Sequence, residues 1–308
     1  MDWTVLQHSD FYAGILRTAT PLALAALGGV ITERSGVTNI GLEGIMLIGA
    51  FFGAWISFST GNAWLGLLAA VLFGALIAFI HGVVSITFRA DQIISGVAIN
   101  LIGTGLTSFL YATYAANGFS DMPGTPDVKI PGISAIPGVG PVIGSQNSIV
   151  YIMLFLVIAA HVLLFSTTLG LRIRAVGEQP RAAETVGINV FAIRYLCVTL
   201  SGALAGLGGA YLSLGLVQDF NFDMTAGQGF IALAAMIVGK WTPFGAFAAC
   251  LLFGFGQQIQ TSGLVLQPSF AGNLVQIAPY VITLVAVAGF VGRAIPPAAD
   301  GVPYDPAK

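Results

Sequence analysis

Charge is what this 308-residue chain has least of: Asp, Glu, Lys and Arg together make up 8% of it, against 56% hydrophobic residues. Soluble domains carry roughly 25% charged residues, so a water-soluble globular fold is excluded. A formal net charge of -2 with no basic block excludes nucleic-acid binding, because phosphates demand clustered Lys and Arg. Cysteine is equally scarce. Cys197 and Cys250 sit inside apolar runs without paired or metal-ligand spacing, which supports neither a disulfide framework nor a zinc site. His8, His81 and His161 stand apart from one another and from any Ser, Cys or carboxylate at catalytic spacing, so no nucleophile and base can be assembled. Two strings faintly resemble nucleotide motifs and fail on inspection. Leu200-Ser-Gly-Ala-Leu-Ala-Gly206 lies in an apolar run, and Gly239-Lys240 lacks the upstream glycine and the following Ser or Thr of a phosphate loop. The first ten residues are polar and acidic, without the basic region and cleavage site of a secretory signal, so no segment is expected to be removed.

What the chain has instead is long apolar runs. With a mean hydropathy of +0.90 and about 20 residues needed per crossing, the sequence predicts an all-α polytopic membrane protein. About nine transmembrane helices are expected, near 13–31, 40–58, 64–84, 92–115, 148–167, 194–215, 225–239, 243–260 and 274–292, the seventh being short. Nine of the basic residues (Arg34, Arg89, Arg172, Arg174, Arg181, Arg194, Lys240, Arg293 and Lys308) fall on one side of this alternation. Arg17 and Lys129 fall on the other. The positive-inside rule then places the N-terminus outside and the C-terminus in the cytoplasm, with the Pro- and Gly-rich segment 117–147 outside and the loop 170–193 inside. Residues 38–49 resemble 225–236, and Leu72–Leu76 resembles Leu252–Gly256. That is a weak inverted repeat of halves about 13–115 and 194–292 within a single permease-like domain, a common transporter plan.

The stretch Glu33-Arg-Ser-Gly-Val-Thr-Asn-Ile-Gly-Leu-Glu-Gly44 sets a Glu-Arg pair, glycines and a second acid between two apolar runs. Ionisable groups in a bilayer cost several kcal/mol unless paired or hydrated, so this stretch points to a pathway or an interface. Asn39, Glu43, Asn100, Gln228, Gln257 and Gln258 are the polar groups most nearly embedded in spans, as substrate-path or gate candidates. Amides exchange hydrogen bonds with a sugar or nucleobase without trapping it; the competing reading is helix-to-helix hydrogen bonding. Glu43 is weighted toward a cytoplasmic gate paired with Arg34, and Arg17 toward snorkelling outward. The glycine pairs Gly49/Gly53 and Gly202/Gly206 suit close helix packing. In the cytoplasmic loop, Pro180 suits the first turn of a helix and Gly187 its stop. This gives a helix of roughly two turns, with Ala182 and Ala183 as a smooth contact face and Glu178, Arg181 and Glu184 as charges, too short to be stable alone.

Five blocks, Glu33 to Gly49, Asp91-Gln-Ile-Ile-Ser-Gly-Val-Ala-Ile-Asn100, Ala175 to Asn189, Leu200 to Gly209 and Thr225 to Trp241, together resemble the permease subunits of bacterial ABC importers for simple sugars and branched-chain amino acids. The nucleoside-uptake branch is the nearest likeness. The resemblance implies a non-catalytic subunit in the bacterial plasma (inner) membrane. It implies a second, related permease subunit, a cytoplasmic ATPase that carries the ATP and Mg, and an extracytoplasmic substrate-binding lipoprotein, with no cofactor on this chain. It also implies that Gly177 to Gly187 (Gly177, Glu178, Pro180, Arg181, Ala182, Ala183, Glu184 and Gly187) is a coupling helix received by a groove of the ATPase, and that the nine spans follow the cobalamin-importer permease fold without its first helix. Two alternatives stay open: an ABC permease for a simple sugar, and a self-sufficient ion-coupled secondary transporter with Glu43 as its proton or cation site.

Overall fold

A computed structural model describes residues 8–115, 118–119, 121–261 and 294–306. In chain order the helices are α1 (Ser9–Glu33), α2 (Leu42–Thr60), α3 (Ala63–Gly82), α4 (Gln92–Tyr114), α5 (Ser148–Ser166), α6 (Thr168–Glu178), α7 (Pro180–Thr185), α8 (Val190–Ala210), α9 (Gln228–Val238) and α10 (Pro243–Thr261). Wider π-helical turns prolong α3 over Val83–Thr87 and α8 over Tyr211–Val217. Polar caps mark several starts, because the first amides of a helix have no partner within it. Asn62 accepts from the amides of Trp64 and Leu65, Asp91 from those of Ile93 and Ile94, and Asn189 from that of Ala192.

Among the described residues, six helices are long and apolar enough to cross a membrane: α1, α2, α3 and α8 with their π turns, α4 and α5. The span expected at 225–239 is α9, only 11 residues and so about 16 Å long, roughly half the 30 Å hydrocarbon layer. The expected span 243–260 is α10, and that at 274–292 lies outside the described residues. The outward faces of α4 and α5 are apolar, with Ile94 and Leu101 each 70% exposed and Phe155 69%, as suits helices that meet lipid.

The centre of the bundle is α2, α3 and α8, which glycine lets approach to backbone contact. A Cβ on Gly49 would lie 2.4 Å from the Gly206 carbonyl oxygen, one on Gly74 2.3 Å from that of Gly202, and one on Gly206 2.3 Å from that of Ala70. Lipid gives no hydrophobic drive between helices, so this close packing carries their association. The Pro- and Gly-rich segment carries a short ribbon: β1 (Asp127–Lys129) pairs antiparallel with β2 (Ser145–Asn147), Val128 opposite Gln146. Asn147 ties this ribbon to α5 by accepting from the Thr125 hydroxyl and the Ile149 amide. Arg17 reaches the ribbon, its Nε donating to Gln146 Oε1 at 2.9 Å.

Gly206→Val should therefore separate α3 from α8 and lower both the yield of folded protein and its thermal midpoint in detergent. Gly105→Ala, where a Cβ meets no atom within 4 Å, should be neutral or slightly stabilising. Equal midpoints for the two variants would refute the packing role.

Candidate transport and coupling site

The chain between α1 and α2 does not stay at the surface. Asn39 is buried and its Nδ2 donates to Ser201 Oγ at 3.2 Å, seven residues along α8 from Arg194 and thus about 10 Å further in. His81 holds the preceding residue: its Nε2 lies 3.0 Å from the Thr38 carbonyl oxygen and its Nδ1 2.9 Å from Ser95 Oγ. A carbonyl only accepts, so Nε2 carries the proton and the Ser95 hydroxyl donates to Nδ1. α2 therefore begins inside the protein, where its first amides need partners. Asn39 Oδ1 accepts from the Gly41 amide at 3.1 Å, and Asn100 Oδ1 from the Gly44 amide at 2.8 Å while its Nδ2 donates to the Ile40 carbonyl.

Glu43 stands in the first turn of α2 and faces the start of α9. Its Oε1 accepts from the Thr225 hydroxyl at 2.6 Å and the Gly227 amide at 2.8 Å, and its Oε2 from the Gly229 amide at 2.6 Å. One carboxylate thus lies between the N-termini of two helices, where both dipoles and the unpaired amides favour a negative charge. The far end of α9 lies against the end of α1: Trp241 Nε1 donates to Glu33 Oε2 at 2.5 Å, and Arg34 Nε to the Trp241 carbonyl at 2.8 Å. Glu43 is consequently about one α9 length, on the order of 16 Å, from Arg34. The expected Glu43–Arg34 gate pair is not formed, because a helix stands between them.

The segment 218–227 descends to this point without helix. Gln218, Asp223 and Ala226 have φ of 54°, 53° and 44°, and Gly227 follows at 84°. Phe220 packs against Phe51 at 5.2 Å and Thr225 is fully buried, whereas Asn221, Asp223 and Ala226 are exposed. Gln228, the first residue of α9, has its Oε1 buried with no hydrogen-bond partner among the described residues. Asn39, Glu43, Asn100 and Gln228 therefore converge around the two interrupted helix starts. Gln257 and Gln258 do not: they lie near the far end of α10, with Gln258 against Gly14. Sequence reasoning missed the partners Thr225, Gly227 and Gly229, although Thr-x-Gly-x-Gly opening an apolar run is a visible signal for a capped helix start.

On the opposite side of Arg34, Pro180 opens α7 at its first position. Gly187, at φ 82°, closes it. The Gly187 amide donates to the Glu184 carbonyl at 2.9 Å and the Ile188 amide to that of Ala183 at 3.1 Å, the bond pair of a glycine-terminated helix. Gly177 and Glu178 belong to the end of α6. There a Cβ on Gly177 would lie 2.2 Å from the Arg34 carbonyl oxygen. Ala182 is exposed but Ala183 is 3% exposed. The expected two-alanine contact face is thus corrected: Ala183 packs inward, and Arg181, Ala182, Thr185 and Val186 face out. Behind α7, Asp300 accepts from the Thr38 hydroxyl at 3.0 Å, and burial pushes its carboxyl up from the ordinary value.

Residues 11–290 match the family described as branched-chain amino acid transport system / permease component. The chain belongs to this family. Among permeases it is 46% identical to the guanosine ABC transporter permease protein NupQ of Bacillus subtilis, over 93% of each chain. It is 41% identical to the nucleoside ABC transporter permease protein NupC of Lactococcus lactis, over 96% of each. Bacillus subtilis carries a second similar permease, the guanosine ABC transporter permease protein NupP, 26% identical over 94% of this chain and 85% of that one.

For a permease built this way, Glu43→Gln replaces one acceptor oxygen with an N–H₂ group facing an amide donor. Loss of about 1–3 kcal/mol of stability is expected, the cost of one unsatisfied buried group, measured as a lowered unfolding midpoint in detergent and less protein in the membrane. An unchanged midpoint would show that the cap contributes nothing.

Proposed function

We propose that this chain is the permease subunit of an ATP-driven importer for nucleosides, paired with a second, related permease and served by a cytoplasmic ATPase and an extracytoplasmic binding lipoprotein. The observation that carries this reading is whole-length similarity to nucleoside and guanosine permeases, joined to a short helix, α7, that follows directly on the end of α6 where Gly177 abuts Arg34. The two permeases of one organism, one close to this chain and one distant, support a hetero-pair.

Physical argument supports the placement of the path. Irregular backbone at membrane depth is tolerated only inside protein or along a water-filled cavity, so the exposed residues Asn221, Asp223 and Ala226 belong to the path or to the partner permease rather than to lipid. Gln228, with an unused acceptor, is the polar group best placed to meet a passing ligand, whereas Asn39 and Asn100 are occupied as caps. The segments 38–49 and 225–236, alike in sequence, meet through Glu43, as interrupted helices do at the interface of inverted repeats. The same bonds weigh against a self-sufficient ion-coupled transporter: each oxygen of Glu43 is already engaged by protein donors, as a helix cap requires. The simple-sugar alternative is separated from the nucleoside reading by competition.

Three measurements test this reading. Uptake of labelled guanosine in vesicles with the complete complex should require ATP, be competed by other nucleosides and not by glucose, and survive collapse of the proton and sodium gradients; gradient-driven uptake without ATP would overturn it. Ala182→Asp, on the outward face of α7, should reduce co-purification of the ATPase while leaving the permease in the membrane, since exposed substitutions usually stay within about 0.5 kcal/mol. With Cys197 and Cys250 replaced, an impermeant thiol reagent should label Ala135→Cys from outside and Thr185→Cys only from the cytoplasm; Thr185→Cys labelling in intact cells would reverse the orientation.

A further inference from the structure

The coupling helix α7 has six residues, too few to hold a helix by themselves, yet a helix that transmits force has to be rigidly mounted. Its N-terminal side is fixed by α6, whose Gly177 abuts Arg34. Its other support comes from the end of the chain. Between residues 298 and 305 the backbone and side chains reach five separate elements in succession. The Ala298 amide donates to Glu178 Oε2 at 3.3 Å and the Ala299 amide to the Gly177 carbonyl at 2.9 Å, both at the end of α6. Asp300 takes the hydroxyl of Thr38, on the way from α1 to α2. The Val302 carbonyl accepts from Arg194 Nη1 at 3.1 Å, a guanidinium only 1% exposed in α8 that also lies 5.9 Å from the Tyr304 ring.

The last two contacts reach α7 and the loop before α4. The Tyr304 hydroxyl donates to Glu184 Oε2, on α7 itself, and its ring meets Phe191 edge-on at 5.6 Å. Asp305 Oδ1 pairs with Arg89 Nη1 at 3.0 Å. Tyr304 is 5% exposed and Ala299 8%, so these two residues anchor the segment inward while Ala298, Gly301, Val302 and Pro303 face out. A cavity of about 390 Å³ between it and α7, lined by Arg89, Pro180, Arg181, Pro303, Tyr304 and Asp305, leaves the side chains of these ties beside the helix that meets the partner.

We propose that residues 298–305 form a positioning strap that mounts α7 on the cytoplasmic ends of α1, α6 and α8, so that movement of the interrupted helices is passed to the ATPase and not lost in a loose loop. The strap rests on the reading of α7 as the ATPase-binding helix. Its residues do not touch substrate or nucleotide; they hold the group that does the coupling. Removing two of the three side-chain ties, those of Tyr304 and Asp305, with Tyr304→Phe and Asp305→Asn conserves volume and leaves the backbone bonds and the Asp300–Thr38 bond in place.

The test uses the complete complex in liposomes. For the double variant, permease amount and ATPase co-purification should match wild type and basal ATP hydrolysis should persist. Substrate-stimulated hydrolysis and uptake should fall about tenfold, the scale of losing one hydrogen bond to a charged group. Two rescues separate positioning from general damage: Glu184→Gln, which keeps an acceptor for Tyr304, should retain stimulation that Glu184→Ala loses, and Arg89→Asp combined with Asp305→Arg should restore what either change alone removes. Stimulated hydrolysis at the wild-type level in the double variant, or equal loss in Glu184→Gln and Glu184→Ala, would overturn the strap. Failure of the underlying reading looks different: Ala182→Asp would leave ATPase co-purification untouched.

Discussion

A single carboxylate, Glu43, makes the interior of this permease possible. Two helices, α2 and α9, start inside the bundle, and each leaves amides that a bilayer cannot hydrate. Glu43 sits in the first turn of one and accepts both Gly227 and Gly229 amides of the other. The cost of burying a charge is offset here without any cation: three donors and two helix dipoles supply the favourable field. Asn39 and Asn100 do the same for α2 with neutral amides. Without these acceptors an interrupted helix would expose unsatisfied backbone, each group worth several kcal/mol in hydrocarbon.

That arrangement explains which features of the fold could be read from the sequence. The apolar runs behind α1, α2, α4, α5 and α8 are long, and their expected starts agree with the structure to within a few residues, with Asp91, Asn147 and Asn189 capping α4, α5 and α8. The glycine pairs Gly49/Gly53 and Gly202/Gly206 were legible as packing sites because no side chain at those positions could do anything else in a span. Pro180 and Gly187 bracket α7 through local geometry alone, fixed φ at one end and positive φ at the other.

Long-range pairing was not legible. Glu43 stood out as a lone acid in an apolar run, but its partner lies more than 180 residues away, and sequence offers Arg34 as the nearer opposite charge. An anion stabilised by backbone amides leaves no charged residue to find. The same limitation hid the inward packing of Ala183, since a helix of six residues has too few positions to reveal which side is covered, and the tail 298–305, whose short Pro- and Ala-rich stretch has no periodicity. Its Tyr304 and Asp305 acquire meaning only once Glu184 and Arg89 are brought beside them.

These contacts also define how the two regions are connected. From Glu43 the rigid α9 runs about 16 Å to Trp241, whose indole is held by Glu33 and whose carbonyl is held by Arg34. The Arg34 carbonyl in turn touches Gly177 at the end of α6, with no space for a side chain between them, and α7 follows after a single residue. The links are helices, a backbone contact at Gly177 and side-chain hydrogen bonds from Trp241 and Arg34, and packed helices shift as units rather than deform. The start of α9 is therefore joined to Arg34 through one short helix, the turn at Gly239–Trp241 and two hydrogen bonds. Glycines at 177 and 229 are what keep that line short, because a Cβ at either would have to push the neighbouring backbone away.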